Sequence, residues 1–461
     1  MGNILVEETT MAAIADSIRE RGGTDGKLKP AAMPQAILDI PAGGTGADES
    51  LPVRFFDYDG TLLYSFSLEE LQGMAALPEL PAHEGLVCQG WNWSLEGLKA
   101  VNREMNAAAL YITDDGATRL YVHLEKDNLD PVVSFSQSVP GGVQVDWGDG
   151  SGPEASPGET GKVEVRHSYG SPGDYLVCIL PEDGCMITLA GTSKGGGEIF
   201  SDGESSLFAN MKHSSAVRKA ELGKNIEMMD SYCFYGFSRM ESISIPADTG
   251  GIGRGAFREC RILKFAGLPG IIDSILQETF EECSRMRHIS LPDGILSIRG
   301  DAFSSCADLM AITLPDCVEP LGRLAVVGCS SFRSVYLPQK ISSMGSYIFK
   351  DDKILEGITI PESTREIPPY LITGCYLVTE VVIPYWAEKL STYAFYGCQS
   401  IRDYYFMPET PPVLNGTSVF GGIQSYCKIH VPKGCLEAYQ AADNWSNYAG
   451  YMVEMEEGEV H

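Results

Sequence analysis

Between residues 246 and 384 the hydrophobic pattern repeats every 23 positions, each repeat marked by a proline: Pro246, Pro269, Pro292, Pro315, Pro338, Pro361 and Pro384. Just before these prolines apolar and other residues alternate, as in Ile243 and Ile245, Ile289 and Leu291, Ile312 and Leu314, and Val335 and Leu337. Such a run predicts a short strand with one buried face, stopped by a residue that cannot donate to a ladder. Six positions on stand Ile252, Ile275, Ile298, Leu321, Met344, Ile367 and Leu390. Eleven positions on stand Phe257, Phe280, Phe303, Val326, Phe349, Ile372 and Phe395. One unit of this size cannot bury its own apolar face, so the pattern predicts coils stacked into a solenoid over residues 207–445. A degenerate copy (Val217, Ala220, Leu222, Met229, Phe234, Phe237) precedes the series. A looser one (Tyr405, Met407, Pro408, Phe420, Ile429, Val431, Pro432) follows, giving about nine coils. The run GCLEAYQAADNWSNYA then predicts a short helix closing the open end.

Fourteen positions after the prolines come Cys260, Cys283, Cys306, Cys329, Asp352, Cys375 and Cys398. A small apolar side chain with a weak donor suits a site where each coil turns inward, so these are read as structural thiols. A linear stack does not supply a tetrahedral metal site. The stretch SIRGDAFSSCADLMAITLP (297–315) resembles the BspA-like leucine-rich repeat, I-x-x-x-A-F-x-x-C-x-x-L-x-x-I-x-L-P, and IHVPKGCLEAYQAADNWSNYA resembles that family's C-terminal ending. The resemblance implies a curved solenoid used in adhesion or recognition, without catalytic residues.

The N-terminal half reads as three further units. In residues 1–45, Met11, Ile14, Ala15 and Ile18 fall on one helical face, and the segment IADSIRERGGTDGKLKPAAMPQAI resembles N-terminal segments of bacteriophage tail-associated proteins. This helical attachment module is followed by a flexible linker, AGGTGADES. In residues 51–125, a small α+β module, VRFFDYDGTLL matches the first motif of haloacid-dehalogenase-type phosphatases, with Asp57 as nucleophile, Asp59 as general acid, Lys99 as phosphate lysine and Asp114-Asp115 as acidic pair. That acidic pair follows too closely for a doubly wound sheet. The same text with its later P-x-x-P and G-W resembles the Listeria–Bacteroides surface repeat, in which Asp57-Tyr58-Asp59-Gly60 is a hairpin turn; this is the preferred reading. In residues 128–190, VQVDWGDGSG and HSYGSPGDYLVCIL resemble a PKD-type β-sandwich. There Asp146 and Asp149 are weak calcium candidates, turn capping through the backbone being the alternative. The stretch 191–206 is a linker.

The expected fold is therefore mainly β with short helices: a modular chain ending in a leucine-rich-repeat solenoid. Composition narrows the function. With 34 basic and 62 acidic residues the formal net charge is −28, which disfavours nucleic acid and anionic membrane surfaces as partners. No apolar run is long enough for a membrane-spanning helix, and the N-terminus lacks the basic and apolar regions of a signal peptide. The seven histidines are scattered, and no cofactor is implied. The expectation is a non-catalytic recognition or adhesion protein, extracellular as a virion tail component or at a cell surface, binding a protein or glycan. A phosphatase and a structural spacer are the alternatives. The candidate ligand-binding residues are outward solenoid positions: Arg287, His288, Arg333, Tyr336, Glu356, Tyr385 and Trp386.

Overall fold

A computed structural model describes residues 51–101, 103–189, 200–201, 214–341 and 343–456. The helical module 1–45, the linker at 42–50 and most of the linker at 191–206 lie outside the described residues.

Residues 53–113 form a four-stranded sheet in the order β2-β1-β4-β3, from β1 (Val53–Phe56), β2 (Leu62–Phe66), β3 (Leu86–Trp91) and β4 (Met105–Thr113). β1 runs antiparallel to β2 and parallel to β4. The tight turn between β1 and β2 is closed by Asp57 N–H donating to Thr61 O and Gly60 N–H to Asp57 O, so residues 57–60 are the hairpin turn. Two short helices, α1 (Leu68–Gly73) and α2 (Leu95–Val101), cover one face of the sheet. Helix α1 begins with a capping box between Ser67 and Glu70, which satisfies two otherwise unpaired backbone donors. Strand parity divides the apolar residues. Val53, Phe55, Met105 and Ala107 pack with Leu71, Trp93 and Leu98 on the helix side, whereas Phe56 and Ala108 point the other way, onto Phe265 of the solenoid.

The sandwich region has β5 (Thr118–Leu124), β6 (Val132–Gln137), β7 (Val143–Asp146), β8 (Glu154–Ala155), β9 (Gly161–Arg166), β10 (Gly173–Pro181), β11 (Ile187–Leu189) and β12 (Phe200–Ser201). Its two sheets do not end at residue 190. One runs on through β13 (Val217–Glu221) to β15 (Ser242–Ser244), in the order β15-β13-β5-β10-β7-β8. The other contains β12-β6-β11-β14, where β14 is Ile226–Met229. Strand β5, which sequence places in the preceding module, pairs antiparallel with both β10 and β13.

From β13 and β14 onward the chain forms two parallel ladders. One includes Phe265–Gly267, His288–Ser290, Ala311–Thr313, Ser334–Tyr336, Glu380–Ile383, Asp403–Phe406 and Lys428–Val431. The other includes Ser274–Ile275, Ser297–Ile298, Pro320–Leu321, Ser343–Met344, Glu366–Ile367, Lys389–Leu390 and Val413–Leu414. Register follows the period, as in Phe265↔His288 and Ile275↔Ile298. This is a β-solenoid in the C-terminal region of a mainly β chain.

Inside, Phe234, Phe257, Phe280 and Phe303 stack with centroids 5.3–5.7 Å apart. Val326 interrupts the stack, and Phe332 packs on Phe349 instead (6.3 Å). Each repeat cysteine donates its thiol to a carbonyl in the preceding coil: Cys260 to Phe234 O, Cys283 to Phe257 O and Cys306 to Phe280 O, all 3.1 Å. Cys329, Cys375 and Cys398 bond in the same way to Phe303, Phe349 and Ile372. Burial pushes the Cys260, Cys283, Cys306 and Cys329 thiols well above their usual range. One apolar core extends from Leu120 to Met452. It is closed by α3 (Leu436–Ala441) and a 3₁₀ turn (Trp445–Tyr451), whose Tyr439 and Trp445 pack on Phe406. Solenoids need such ends because a terminal coil otherwise leaves its apolar face in water; here the sandwich sheets cover one end and the helix the other.

Candidate recognition surface

The strands of the first ladder alternate inward and outward residues. Over its early coils the outward positions are occupied by the 53–113 module. Asn92 Nδ2 donates to Leu268 O (3.0 Å) and to Ser290 Oγ (2.9 Å), whose hydroxyl donates to Asn106 O (2.5 Å). Trp93 Nε1 donates to Leu291 O (3.0 Å) and Asn106 Nδ2 to Ile289 O (3.1 Å). Arg103 pairs with Asp316 (3.0 Å), and its guanidinium lies 3.8 Å from the centre of the Tyr336 ring. Two glycines allow this approach. A Cβ at Gly267 would lie 2.5 Å from Ala108 Cβ, and one at Gly60, whose φ is +89°, would lie 2.9 Å from Phe265 Cβ. The named contacts of the module reach as far along the ladder as Tyr336.

This docking separates the expected ligand-binding residues. His288 is 6% exposed and stacks on Phe56 at 4.8 Å. Burial, with Arg54 and Arg287 nearby, lowers its pKa to about 3, so the ring is neutral. Tyr336 is half-buried beneath Arg103 and donates its hydroxyl to Asp316 (3.3 Å). Both belong to an internal contact. Arg287 and Arg333 are exposed and share a hollow of about 520 Å³ with Arg285, Asp308 and Met310; Glu356 is exposed nearby in sequence, its N–H bonded to Arg333 O. Tyr385 and Trp386 (47% and 56% exposed) line a separate hollow of about 380 Å³ with Pro411, Pro412 and Val413.

A larger groove, about 750 Å³, lies farther along the first ladder, lined by residues including Tyr376, Arg402, Asp403, Tyr405, Tyr426, Lys428 and His430. The repeat spacing did not single out this cluster. Tyr404 is 2% exposed and packs on Phe395 and Phe420, and Tyr405 is 7% exposed beneath His430. The signal lay in parity: Tyr404 pairs with Val381 and Ile429, inward residues, whereas Tyr405 pairs with His430.

The chemistry proposed for residues 51–125 meets a different geometry. Asp57 is buried, with Oδ1 accepting from Tyr58 N–H (2.9 Å) and Oδ2 held by His83 Nε2 (2.8 Å). Burial raises its pKa despite His83. The chain leaves β1 through a hairpin into an antiparallel strand. Asp59 accepts from Thr61 N–H (2.9 Å), Asp114 and Asp115 both pair with Arg119, and Lys99 donates to Met74 O. In the sandwich, Asp146 and Asp149 accept from Gly148 N–H (2.9 Å) and Ser151 N–H (3.0 Å), and Asp149 also holds His167 Nε2 (2.8 Å). These bonds hold the Asp149 carboxyl down to about 2. Among the described residues no three His, Cys, Asp or Glu side chains converge as a metal site. No described helix is long and apolar enough to cross a membrane.

The stacked coils, phenylalanine ladder and thiol-to-carbonyl ladder define a leucine-rich-repeat solenoid. The family described as "BspA type Leucine rich repeat region" matches in six copies, over residues 204–325 and 297–425. Among solved structures, a leucine-rich repeat protein from Bacteroides ovatus is 19% identical, with 52% of this chain and 77% of that one covered and a TM-score of 0.38. The T. pallidum leucine rich repeat protein is 29% identical over 33% of this chain and 71% of its own, with a TM-score of 0.31. The pneumococcal vaccine antigen PcpA is 15% identical over 50% and 78%, with a TM-score of 0.26. No curated protein matches the sequence.

Proposed function

We propose that this chain is a non-catalytic recognition protein that binds a protein or glycan at a cell surface through the part of its solenoid left open by the 53–113 module. The carrying observation is the contrast along one ladder. The early outward positions Phe265, Gly267, His288 and Ser290 are buried against the module, whereas Ser334, Glu380 and Lys428, which continue the register of Phe265 and His288 in later coils, are exposed. Outward solenoid residues vary without cost to the core, which suits this face to a ligand. The sandwich and the docked module act as a rigid base. Residues 1–45, with their likeness to phage tail-associated segments, serve in this reading as the attachment to a virion or surface fibre.

The test is binding of the full chain to cells and to immobilised matrix proteins, comparing wild type with a joint Arg287→Ala, Arg333→Ala and Glu356→Ala variant. The expected result is a clear loss of binding with an unchanged melting temperature. Unchanged binding rules out that edge as the recognition face; no binding by the wild type to any surface removes the recognition reading itself.

A further inference from the structure

Several exposed charges of the solenoid are answered by opposite charges from the adjoining coil: Arg261 by Glu282 (3.1 Å), Arg285 by Asp308 (3.4 Å), Arg365 by Glu388 (2.5 Å) and Lys389 by Glu366 (2.8 Å). At the large groove two exposed cations, Arg402 and Lys428, have no such ion pair among the described residues. Arg402 N–H donates to Thr379 O and Lys428 N–H donates to Arg402 O, both 2.7 Å, which holds the two residues on neighbouring coils with Lys428 in register with Asp403. Neither side chain has a carboxylate partner among the described residues. Asp403, the acid on this wall, is held instead by His430 Nε2 at 2.8 Å. In a chain of net charge −28, two adjoining unanswered cations mark a place for an anion.

The remaining walls say what carries that anion. His430 lies flat on Tyr405, with centroids 4.5 Å apart and planes at 23°. Tyr376 and Tyr426 flank them, 44% and 57% exposed, and Tyr426 is anchored by its hydroxyl to Gln399 O (2.5 Å). Fixed aromatic faces bordered by hydrogen-bonding groups suit a ring with an apolar face and a polar rim. A volume of about 750 Å³ fits a small ligand, whose pockets run from about 300 to 1,000 Å³. A stable protein partner would need about 800 Å² from each side, a far broader contact.

We propose that this groove binds a carboxylate-bearing saccharide, with Arg402 and Lys428 engaging the carboxylate and Tyr376 and Tyr426 packing against the sugar rings. The proposal rests on the recognition reading and gives it a ligand class. The experiment uses the full chain against sialylated and uronic-acid oligosaccharides, their carboxyl-reduced counterparts and an Asp/Glu-rich peptide, alongside the cell- and matrix-binding assay. The proposal expects saturable binding to acidic saccharides, weakened by salt and at least tenfold weaker in the Arg402→Ala, Lys428→Ala variant. It expects Lys428→Arg to retain binding and the Trp386→Ala variant to be unaffected. Equal binding to the carboxyl-reduced sugars, or binding to the acidic peptide alone, overturns it. So does a wild-type chain that binds cells or matrix but no saccharide, which leaves the recognition reading standing. A chain that binds neither surfaces nor saccharides removes both.

Discussion

Asp352 stands where the other coils place a cysteine, and it makes the sharpest stability prediction. The side chain is fully buried between the Cys329 and Cys375 coils. Its Oδ1 accepts from Cys329 N–H (2.9 Å), and its Oδ2 has no partner among the described residues. Burial, with a smaller contribution from Asp351, pushes its pKa from 3.8 up to about 9. At neutral pH the folded chain therefore keeps a proton that the unfolded chain releases. Because the folded state binds more protons, stability falls as pH rises between these two values, and the loss is complete above about 9. Each pH unit in that window costs about 1.4 kcal/mol, so holding Asp352 neutral near pH 7 costs about 4 kcal/mol. Asp352→Asn keeps the acceptor and the shape but cannot titrate. It is expected to match wild type near pH 4 and to exceed it by about 4 kcal/mol near pH 7. With a urea m-value of about 3 kcal/mol/M, the midpoint shifts by about 1.3 M. Urea titrations at several pH values, with amide exchange followed in residues 329–375, measure this directly. A difference between variant and wild type that is the same at about pH 4 and pH 8 refutes the argument, because only a titrating group makes it pH-dependent.

Further outcomes follow from the same packing. Cys306→Ala deletes a buried sulfur and its bond to Phe280 O and is expected to cost about 1–3 kcal/mol in urea unfolding; a thiol reagent should label exposed Cys88 in the native chain while sparing Cys260, Cys283, Cys306 and Cys329. Gly267→Val forces a side chain into Ala108 without disturbing the inward core, so limited proteolysis should cut within residues 53–113 at unchanged protection of the later coils; equal protection of both contradicts the docked arrangement. An assay with a generic phosphate ester and magnesium is expected to show no turnover that depends on Asp57, and Asp57→Asn should instead lower stability through loss of the charge-assisted bond to His83; Asp57-dependent turnover would restore the phosphatase reading.

The order of proline, Phe257, Cys260 and their repeats was enough to establish the solenoid, because a 23-residue coil has one apolar stripe and buries it only against copies of itself. The closing helix with Tyr439 and Trp445 was legible for the same reason: the pattern ends there, and an apolar end needs a cover. Backbone conformation was not legible. Gly255, Glu278, Asp301, Leu324, Tyr347, Tyr370 and Tyr393 all have φ between +57° and +62°, one per coil. Side chains pay about 1–2 kcal/mol there. Bonds to the next coil, such as Asp301 N–H to Arg323 O (3.0 Å) and Glu278 N–H to Gly300 O (3.1 Å), hold them in place. No preference of Leu or Tyr announces such a site, since the stacked backbone decides it. The candidate surface was legible only in part. Sequence parity identifies which residues of a strand point outward, but His288 and Phe265 face outward only to meet Phe56. Whether an outward residue meets solvent, a ligand or another part of the chain depends on contacts as distant as Asn92 to Ser290, and local spacing carries no record of those.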